Sequence, residues 1–267
     1  MIKWENLPER IKNEKTYPYY ELLQQKKIQI LWKRVLDFFC AVVLTVLLSP
    51  VMLLIAAAIK LDTKGPIFYR QTRVTRYGMT YRIFKFRTMI TGADKKGPLV
   101  TSSQDDRVTK VGKLLRKIRL DELPQLLNVL KGEMSFVGTR PEVEKYVDQY
   151  SEEMMATLFL PAGITSYASI MYKDEDERIG AYQKQTGKSV DEIYREYILP
   201  EKMKYNLKYL KEFSIWRDMK LMLMTVAKQR AAKNQEKRIQ MRLRVNPQVR
   251  ILLRIMRISQ TILQMMR

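Results

Sequence analysis

Residues 38–59 read FFCAVVLTVLLSPVMLLIAAAI, a run broken only by Thr45, Ser49 and Pro50. As a straight helix this run rises about 33 Å, enough to cross a hydrocarbon core of roughly 30 Å. Pro50 opposes simple crossing, because proline removes a ladder bond and obstructs the turn before it. The flanks oppose it too. Lys26, Lys27, Lys33 and Arg34 precede the run, and Lys60, Lys64, Arg70, Arg73 and Arg76 follow it. The positive-inside rule therefore favours neither orientation of a single span. A helix that enters, bends at Ser49-Pro50 and leaves on the same side satisfies both flanks; a proline-kinked single span is the alternative. The run starts too far from Met1 for a cleavable signal peptide. Asp37 lies within a turn of Lys33 and Arg34, and pairing there lowers the cost of a charge at the membrane boundary.

The second informative stretch is Lys113–Pro141, KLLRKIRLDELPQLLNVLKGEMSFVGTRP. Pro124 suits a first helical turn, Leu126, Leu127 and Leu130 recur at helical spacing, and Gly132 suits a stop. Asp121 and Glu122 then lie at or just before a helix N-terminus, where partial positive charge favours anions. Arg116, Lys117 and Arg119 stand upstream, and Arg140 follows in the turn Gly138-Thr139-Arg140-Pro141. A capping acid accounts for one carboxylate. Two acids among four cations also fit a site that handles an anion or a metal.

Composition narrows the chemistry. The chain has no histidine and a single cysteine, Cys40, inside the apolar run. Imidazole catalysis, an internal disulfide and a cysteine-rich zinc site are excluded. Catalysis must rest on carboxylates, Lys, Arg, Tyr, Ser or Thr, and oxygen ligands favour a hard cation such as magnesium or manganese. The net charge of +21 suits nucleic acid, anionic lipid or phosphorylated substrates.

Four segments follow from these patterns: 1–31, 32–60, 61–227 and 228–267. In the first, Tyr19–Trp32 has the pattern of an amphipathic helix. After Lys64-Gly65-Pro66 the period becomes two, and Ile67, Tyr69 and Tyr81–Phe86 predict a hairpin turning at Arg76-Tyr77-Gly78. Alternation sets Phe84 and Phe86 on one face and Lys85 and Arg87 on the other. That second face is either solvated or directed at a phosphate. Thr91–Arg107 reads as a polar loop and Val108–Ile118 as a short helix. Glu142–Leu160 reads as a helix ending before Pro161, and Asp174–Glu177 as a solvated acidic loop. Helices follow over Val190–Ala227, broken at Leu199-Pro200, with Ile215, Trp216, Met219 and Met222-Leu223 as an apolar stripe. The last segment holds eleven basic residues against Glu236 alone. Ile251, Ile255, Ile258 and Ile262 recur at helical spacing beside Arg250, Arg254 and Arg257, which suits an interfacial helix on anionic lipid. No aromatic residue is there for base stacking.

Taken in order, KRVLDFF with its downstream Ser-Pro, KGPIFYRQTRV, FKFRTM, DDRVTKVGKLLRK, LDELPQLLNVLKGEMSFVGTRPE, PAGIT, YNLKYL and SIWRDMK resemble the bacterial sugar transferase family. These are small monotopic phosphoglycosyl transferases, and the resemblance runs from about Trp32 to Ala227. It implies an α+β, mostly helical fold. The re-entrant membrane helix, broken at Ser49 and Pro50, joins a small cytosolic catalytic domain with a short β-hairpin and interfacial amphipathic helices. The implied reaction moves a sugar-1-phosphate from a UDP-sugar to undecaprenyl phosphate and releases UMP, as the first membrane step of polysaccharide or glycan assembly. Asp121 falls on the family's nucleophile, which forms a covalent phosphosugar-aspartate, and Glu122 on the residue that holds Mg²⁺ (Mn²⁺ being the other hard cation). Lys85, Arg87, Arg116, Arg140 and Lys173 fall on substrate- or phosphate-binding positions. The implied location is the cytoplasmic face of the bacterial inner membrane, with anionic lipids as further partners and no nucleic acid. A carboxylate nucleophile suits a chain without histidine.

The departures are specific. Thr139 stands where the family turn usually has proline, and Arg119 where a small hydroxyl residue is common. Ala162 replaces a proline, Ser166-Tyr167 replaces a frequent Gly-Trp, and Lys173 occupies a position that is often arginine. The rival reading from another class is a non-catalytic basic adaptor for anionic lipid or nucleic acid, which has no need of the Asp121-Glu122 pair.

Overall fold

A computed structural model describes residues 1–93, 105–172 and 175–227. Helix α1 (Tyr17–Gln25) ends at Lys26, where the backbone leaves helical geometry and the side-chain ammonium donates to the Phe213 carbonyl at 2.8 Å. The amphipathic pattern over Tyr19–Trp32 is therefore divided. Its second half opens α2 (Lys27–Asp62), a helix of 36 residues with Pro50 inside it. Proline at position 50 leaves the Val46 carbonyl without its ladder donor. The Ser49 hydroxyl donates to that carbonyl at 2.8 Å. Serine before proline thus repairs the bond that proline removes.

The most apolar window of α2 has a mean hydropathy of 2.7, and only 11% of it is buried. Buried Ala41 meets Tyr81, Ile83, Val129 and Met134, while Ile55 and Ile59 meet Phe86 and Leu115. Val46, Leu47, Leu53 and Leu54, between these anchors, stand about 70% exposed. So large a bare apolar surface is of the kind that meets a membrane or a protein partner.

The expected hairpin forms. Strands β1 (Phe68–Val74) and β2 (Thr80–Phe86) pair antiparallel from Phe68↔Phe86 to Val74↔Thr80, around a turn at Arg76–Gly78. Tyr77 takes φ 59° there and Gly78 φ 74°, so the tight reversal uses left-handed backbone at both positions. The alternation holds, but the strand has no fully solvated face. Tyr81 and Ile83 on the Lys85 side enter the core, and Phe86 on the other side packs beneath α2. Phe84 is covered by the Arg70 guanidinium, 3.4 Å from its ring centre.

Helix α3 (Lys110–Lys117) starts at Thr109, whose hydroxyl accepts from the Gly112 amide. Arg119 then adopts left-handed φ 57°, and a 3₁₀ turn over Leu120–Gln125 leads into α4 (Leu126–Lys131). Gly132, at φ 85°, ends that helix as expected. Strand β3 (Met134–Val137) follows. The predicted helix over Glu142–Leu160 is two pieces, α5 (Glu144–Val147) and a 3₁₀ segment over Met154–Phe159. The interruption turns acids toward the N-terminal segment: Asp148 to Arg10, Glu152 to Lys15, and Glu153 to the Tyr19 hydroxyl.

Strand β4 (Ala162–Thr165) pairs parallel with β3. Helix α6 is Tyr167–Met171, and α7, Glu175–Thr186, occupies the expected acidic loop. Helix α8 (Val190–Ile193) continues through a π-turn into α9 (Leu199–Lys211). Pro200 is the second residue of α9, just past the π-turn. The chain breaks instead at residues 212–214, before a further helix described over residues 215–227. The described architecture is mostly helical with two two-stranded sheets. Residues Met1–Met222 make one compact unit, and Leu223–Arg267 make another, described only to residue 227. The expected basic tail, 228–267, and Lys173 lie outside the described residues.

Candidate active site

The site forms where the 3₁₀ turn carrying Asp121 and Glu122 crosses β2. Asn128, fully buried on α4, sets that crossing. Its Oδ1 accepts from the Phe84 amide at 2.8 Å, and its Nδ2 donates to the Arg82 carbonyl at 3.1 Å. An amide side chain thereby takes the place of a neighbouring strand along the free edge of β2. Lys85 is the next residue along that strand. Nothing in the sequence pattern marks Asn128, because a lone asparagine in an apolar helix gives no sign of its partner.

Lys85 Nζ meets Glu122 Oε1 at 2.9 Å, and Arg140 Nη2 meets the same oxygen at 3.0 Å. Burial alone pushes the Glu122 carboxyl up, but Arg140 and Lys85 outweigh it and hold the pKa well below the carboxylate range. For Lys85, burial lowers the ammonium pKa, and Glu122 opposes that change. Arg140 is raised by Glu122 above all. Asp121 behaves differently. Burial first, then the Glu122 charge, raises its carboxyl, with Lys85 and Arg116 acting against them. Neighbouring carboxylates with divergent proton affinities are a recurrent sign of divided roles in a site.

Arg116 stands below this pair. Its Nε donates to the Thr88 hydroxyl at 2.8 Å, so β2's exit and α3 are locked together. Gly112 makes that approach feasible, since a Cβ there would stand 2.0 Å from the Thr88 carbonyl oxygen. Arg140 is set by the β3–β4 pair. Gly138 donates its amide to Thr165 O at 3.1 Å, and Gly163 donates to Thr139 O at 2.9 Å. A Cβ on Gly138 would lie 2.3 Å from the Pro161 oxygen, so only glycine permits this backbone contact.

Of the residues expected at the site, Lys85, Glu122 and Arg140 meet directly, while Asp121 and Arg116 stand beside them. Arg87 is a correction. It is buried, and its guanidinium donates to the carbonyls of Thr63 (2.8 Å) and Lys64 (2.7 Å) and to the Thr91 hydroxyl (2.9 Å). It fastens the exit of α2. The strand ends at Phe86, so alternation no longer governs position 87.

A sequence model of the bacterial sugar transferase family matches residues 28–232. The chain belongs to that family. Among curated relatives, a UDP-glucose:undecaprenyl-phosphate glucose-1-phosphate transferase of Caulobacter vibrioides is 42% identical over 73% of this chain and 68% of its own length. A UDP-N-acetylgalactosamine-undecaprenyl-phosphate N-acetylgalactosaminephosphotransferase of Aeromonas hydrophila is 35% identical over 73% of this chain and 42% of its own. An Escherichia coli UDP-glucose:undecaprenyl-phosphate glucose-1-phosphate transferase is 36% identical, covering 74% and 40%. The chain therefore spans well under half the length of two of these relatives. Their names also specify different sugars.

The donor set suits a hard cation. Glu122 and Asp121 offer oxygen ligands only, and Lys85 and Arg140 both grip one oxygen of Glu122, leaving the other outside their pairing. Magnesium is commonly held by one or two carboxylates together with substrate phosphates. Among the described residues no group of three or more acids, cysteines or histidines forms an all-protein cage.

Proposed function

We propose that this chain transfers a sugar-1-phosphate from a UDP-sugar to undecaprenyl phosphate, with release of UMP, at the cytoplasmic face of the bacterial inner membrane. The observation that carries the reading is the division of labour between adjacent acids. Glu122 is fixed in charged form by Lys85 and Arg140, while Asp121 has a raised proton affinity and makes no ion pair within 4.0 Å among the described residues. Membership of the sugar transferase family and the named activities of the relatives supply the substrate class.

In this reading the Asp121 carboxylate attacks the phosphorus that bears the sugar. The phosphoanhydride bond breaks, UMP leaves with the bond's electron pair, and a phosphosugar-aspartate remains. An oxygen of undecaprenyl phosphate then attacks the same phosphorus and restores Asp121. Lys85, Arg116 and Arg140 neutralise phosphate oxygens during both displacements, the main demand of phosphoryl transfer. Glu122 is the proposed ligand of Mg²⁺ or Mn²⁺, which when bound adds positive charge against the diphosphate.

The membrane helix is proposed to be re-entrant, and its anchors support that. At its entrance Lys33 pairs with Asp218, and Asp37 accepts from the Ser135 hydroxyl at 2.7 Å. At its exit Asp62 accepts from the Val111 amide at 3.1 Å, and Arg87 holds Thr63 and Lys64. Both ends are tied to one polar body, while Val46, Leu47, Leu53 and Leu54 between them are bare. Basic residues at both flanks suit an anionic inner leaflet. The test is UMP release from UDP-glucose and UDP-N-acetylgalactosamine, with undecaprenyl phosphate and Mg²⁺, plus mass spectrometry for a phosphosugar adduct on Asp121. Absence of turnover with every UDP-sugar in a broad panel would overturn the proposal.

A further inference from the structure

Behind Arg140 lies a second charged cluster that the reaction as written does not use. Glu142, two residues on, is buried, and its Oε1 accepts from the Tyr194 hydroxyl at 2.6 Å. Lys202 Nζ on α9 donates to that same hydroxyl at 2.9 Å and pairs with Glu142 at 3.7 Å and Glu175 at 3.2 Å. The side chains of Lys202 and Glu142 are 6% and 7% exposed. Tyr194 is fixed by its ring against Tyr146, with centroids 4.7 Å apart. The intervening backbone is pinned as well: Arg73 donates to the Pro141 carbonyl at 3.2 Å, and the Val74 amide donates to Glu142 O at 3.0 Å.

A buried ion network recovers its desolvation cost only when well satisfied, and packed apolar residues often serve stability as well. Its place is therefore informative. Two carboxylates share one ammonium, so the cluster carries a net negative charge, next in the chain to the arginine that grips Glu122. Arg140 and Glu142 line one small cavity together with Val74, Pro141 and Tyr150, and Glu142 and Glu175 join Glu122 in raising the Arg140 pKa. A guanidinium held only by Glu122 would follow that carboxylate, or would be pulled away when a phosphate competed for it. A second, weaker negative field behind it, limited by Lys202, keeps it in place for either partner.

We infer that Glu142, Tyr194 and Lys202 are positioning residues that hold Arg140 between Glu122 and an incoming diphosphate, acting through Arg140 without touching substrate. Removing the Lys202 charge unbalances the two carboxylates and draws Arg140 back from Glu122 and the phosphate. Because the diphosphate contact is made in both ground and transition states, the loss falls mainly on KM. The inference rests on the phosphosugar-transfer reading.

The experiment uses the full chain in detergent or lipid nanodiscs and follows UMP release against UDP-sugar concentration. Lys202→Met raises KM for the UDP-sugar about tenfold with kcat within about threefold, and Lys202→Arg restores most of it. Tyr194→Phe keeps the ring stack, loses only the hydroxyl, and raises KM about threefold. Should Lys202→Met fail to fold, Tyr194→Phe carries the test. Folded Lys202→Met or Tyr194→Phe with wild-type KM, or with a loss of kcat alone, overturns the positioning role while wild-type turnover upholds the functional reading. A wild-type chain that turns over no UDP-sugar overturns both.

Discussion

Arg140 donates to Glu122 Oε1 at 3.0 Å, across eighteen positions of chain that include α4 and β3. The contact depends on Gly138 lying against Gly163, so the parallel strand pair is what delivers the guanidinium. Arg140→Met is expected to reduce kcat/KM for UMP release by about 10²–10³-fold, the usual scale for one lost electrostatic donor. Arg140→Lys recovers only part, since lysine lacks the planar fork. Steady-state UMP assays check both, and a near-normal Arg140→Met enzyme would remove Arg140 from the mechanism.

Asp121→Asn is expected to abolish turnover and the phosphosugar adduct while leaving the protein membrane-bound. The same change should raise the melting temperature at neutral pH. A carboxyl whose folded pKa is raised favours folding only below its unfolded pKa, so the ionised group opposes folding at pH 7. Thermal melts of both proteins decide this. An unchanged or lower melting temperature contradicts the electrostatic account even if activity is lost.

The two acids should separate in pH. Activity needs ionised Asp121, so the acid limb of kcat/KM should lie above the ordinary aspartate value of 3.8. Glu122 is depressed, so its ion pairs contribute stability above its unfolded value of 4.5 and lose it only as pH falls through the depressed value. Glu122→Gln removes a neighbouring negative charge, and NMR titration of Asp121 should then give a lower pKa. An upward movement would contradict this account and mean that losing Glu122 displaces Lys85 or Arg116 from Asp121.

Lys33 lies between Asp218, at 2.6 Å, and Asp37, at 3.7 Å, with all three side chains under 10% exposed. Lys33→Met strands two buried carboxylates and should destabilise the fold by about 3–5 kcal/mol, measured by chemical denaturation. Adding Asp37→Asn and Asp218→Asn should recover a large part. If the triple variant is no more stable than Lys33→Met, the charge explanation is wrong and packing governs the site.

Topology can be read from two exposed positions, Gln29 and Lys64. After Cys40→Ser, cysteines placed singly at each should react with an impermeant reagent from the same side of sealed vesicles. Labelling from opposite sides would establish a kinked single span.

Much of the frame was legible because it depends on neighbours in sequence. Period-two residues made the hairpin, Gly132 stopped α4, and adjacent Asp121 and Glu122 announced a site. The failures share a different cause. Glu142–Leu160 reads as one helix, yet Asp148, Glu152 and Glu153 face partners more than 130 residues away. Arg87 and Lys85 look equivalent by alternation, but one binds backbone carbonyls and the other a carboxylate. Asn128 and Lys202 show no local pattern at all.

The chain by itself determined a long apolar helix with Ser49-Pro50 inside it, the acid pair, and the family to which both belong. Those follow from hydropathy, residue chemistry and local order, all of which act over a few neighbouring positions. Only tertiary structure decided which cations serve the acids. Lys85 on β2 and Arg140 in the turn after β3 reach one oxygen of Glu122 from positions far apart in sequence, and the parallel pairing of β3 with β4 delivers the arginine. It also showed that both ends of the long helix are fastened to one body, through Asp218 and Ser135 at its entrance and Arg87 at its exit. Burial then makes those pairings strong, because a charge removed from water must find its counter-charge wherever the fold places it.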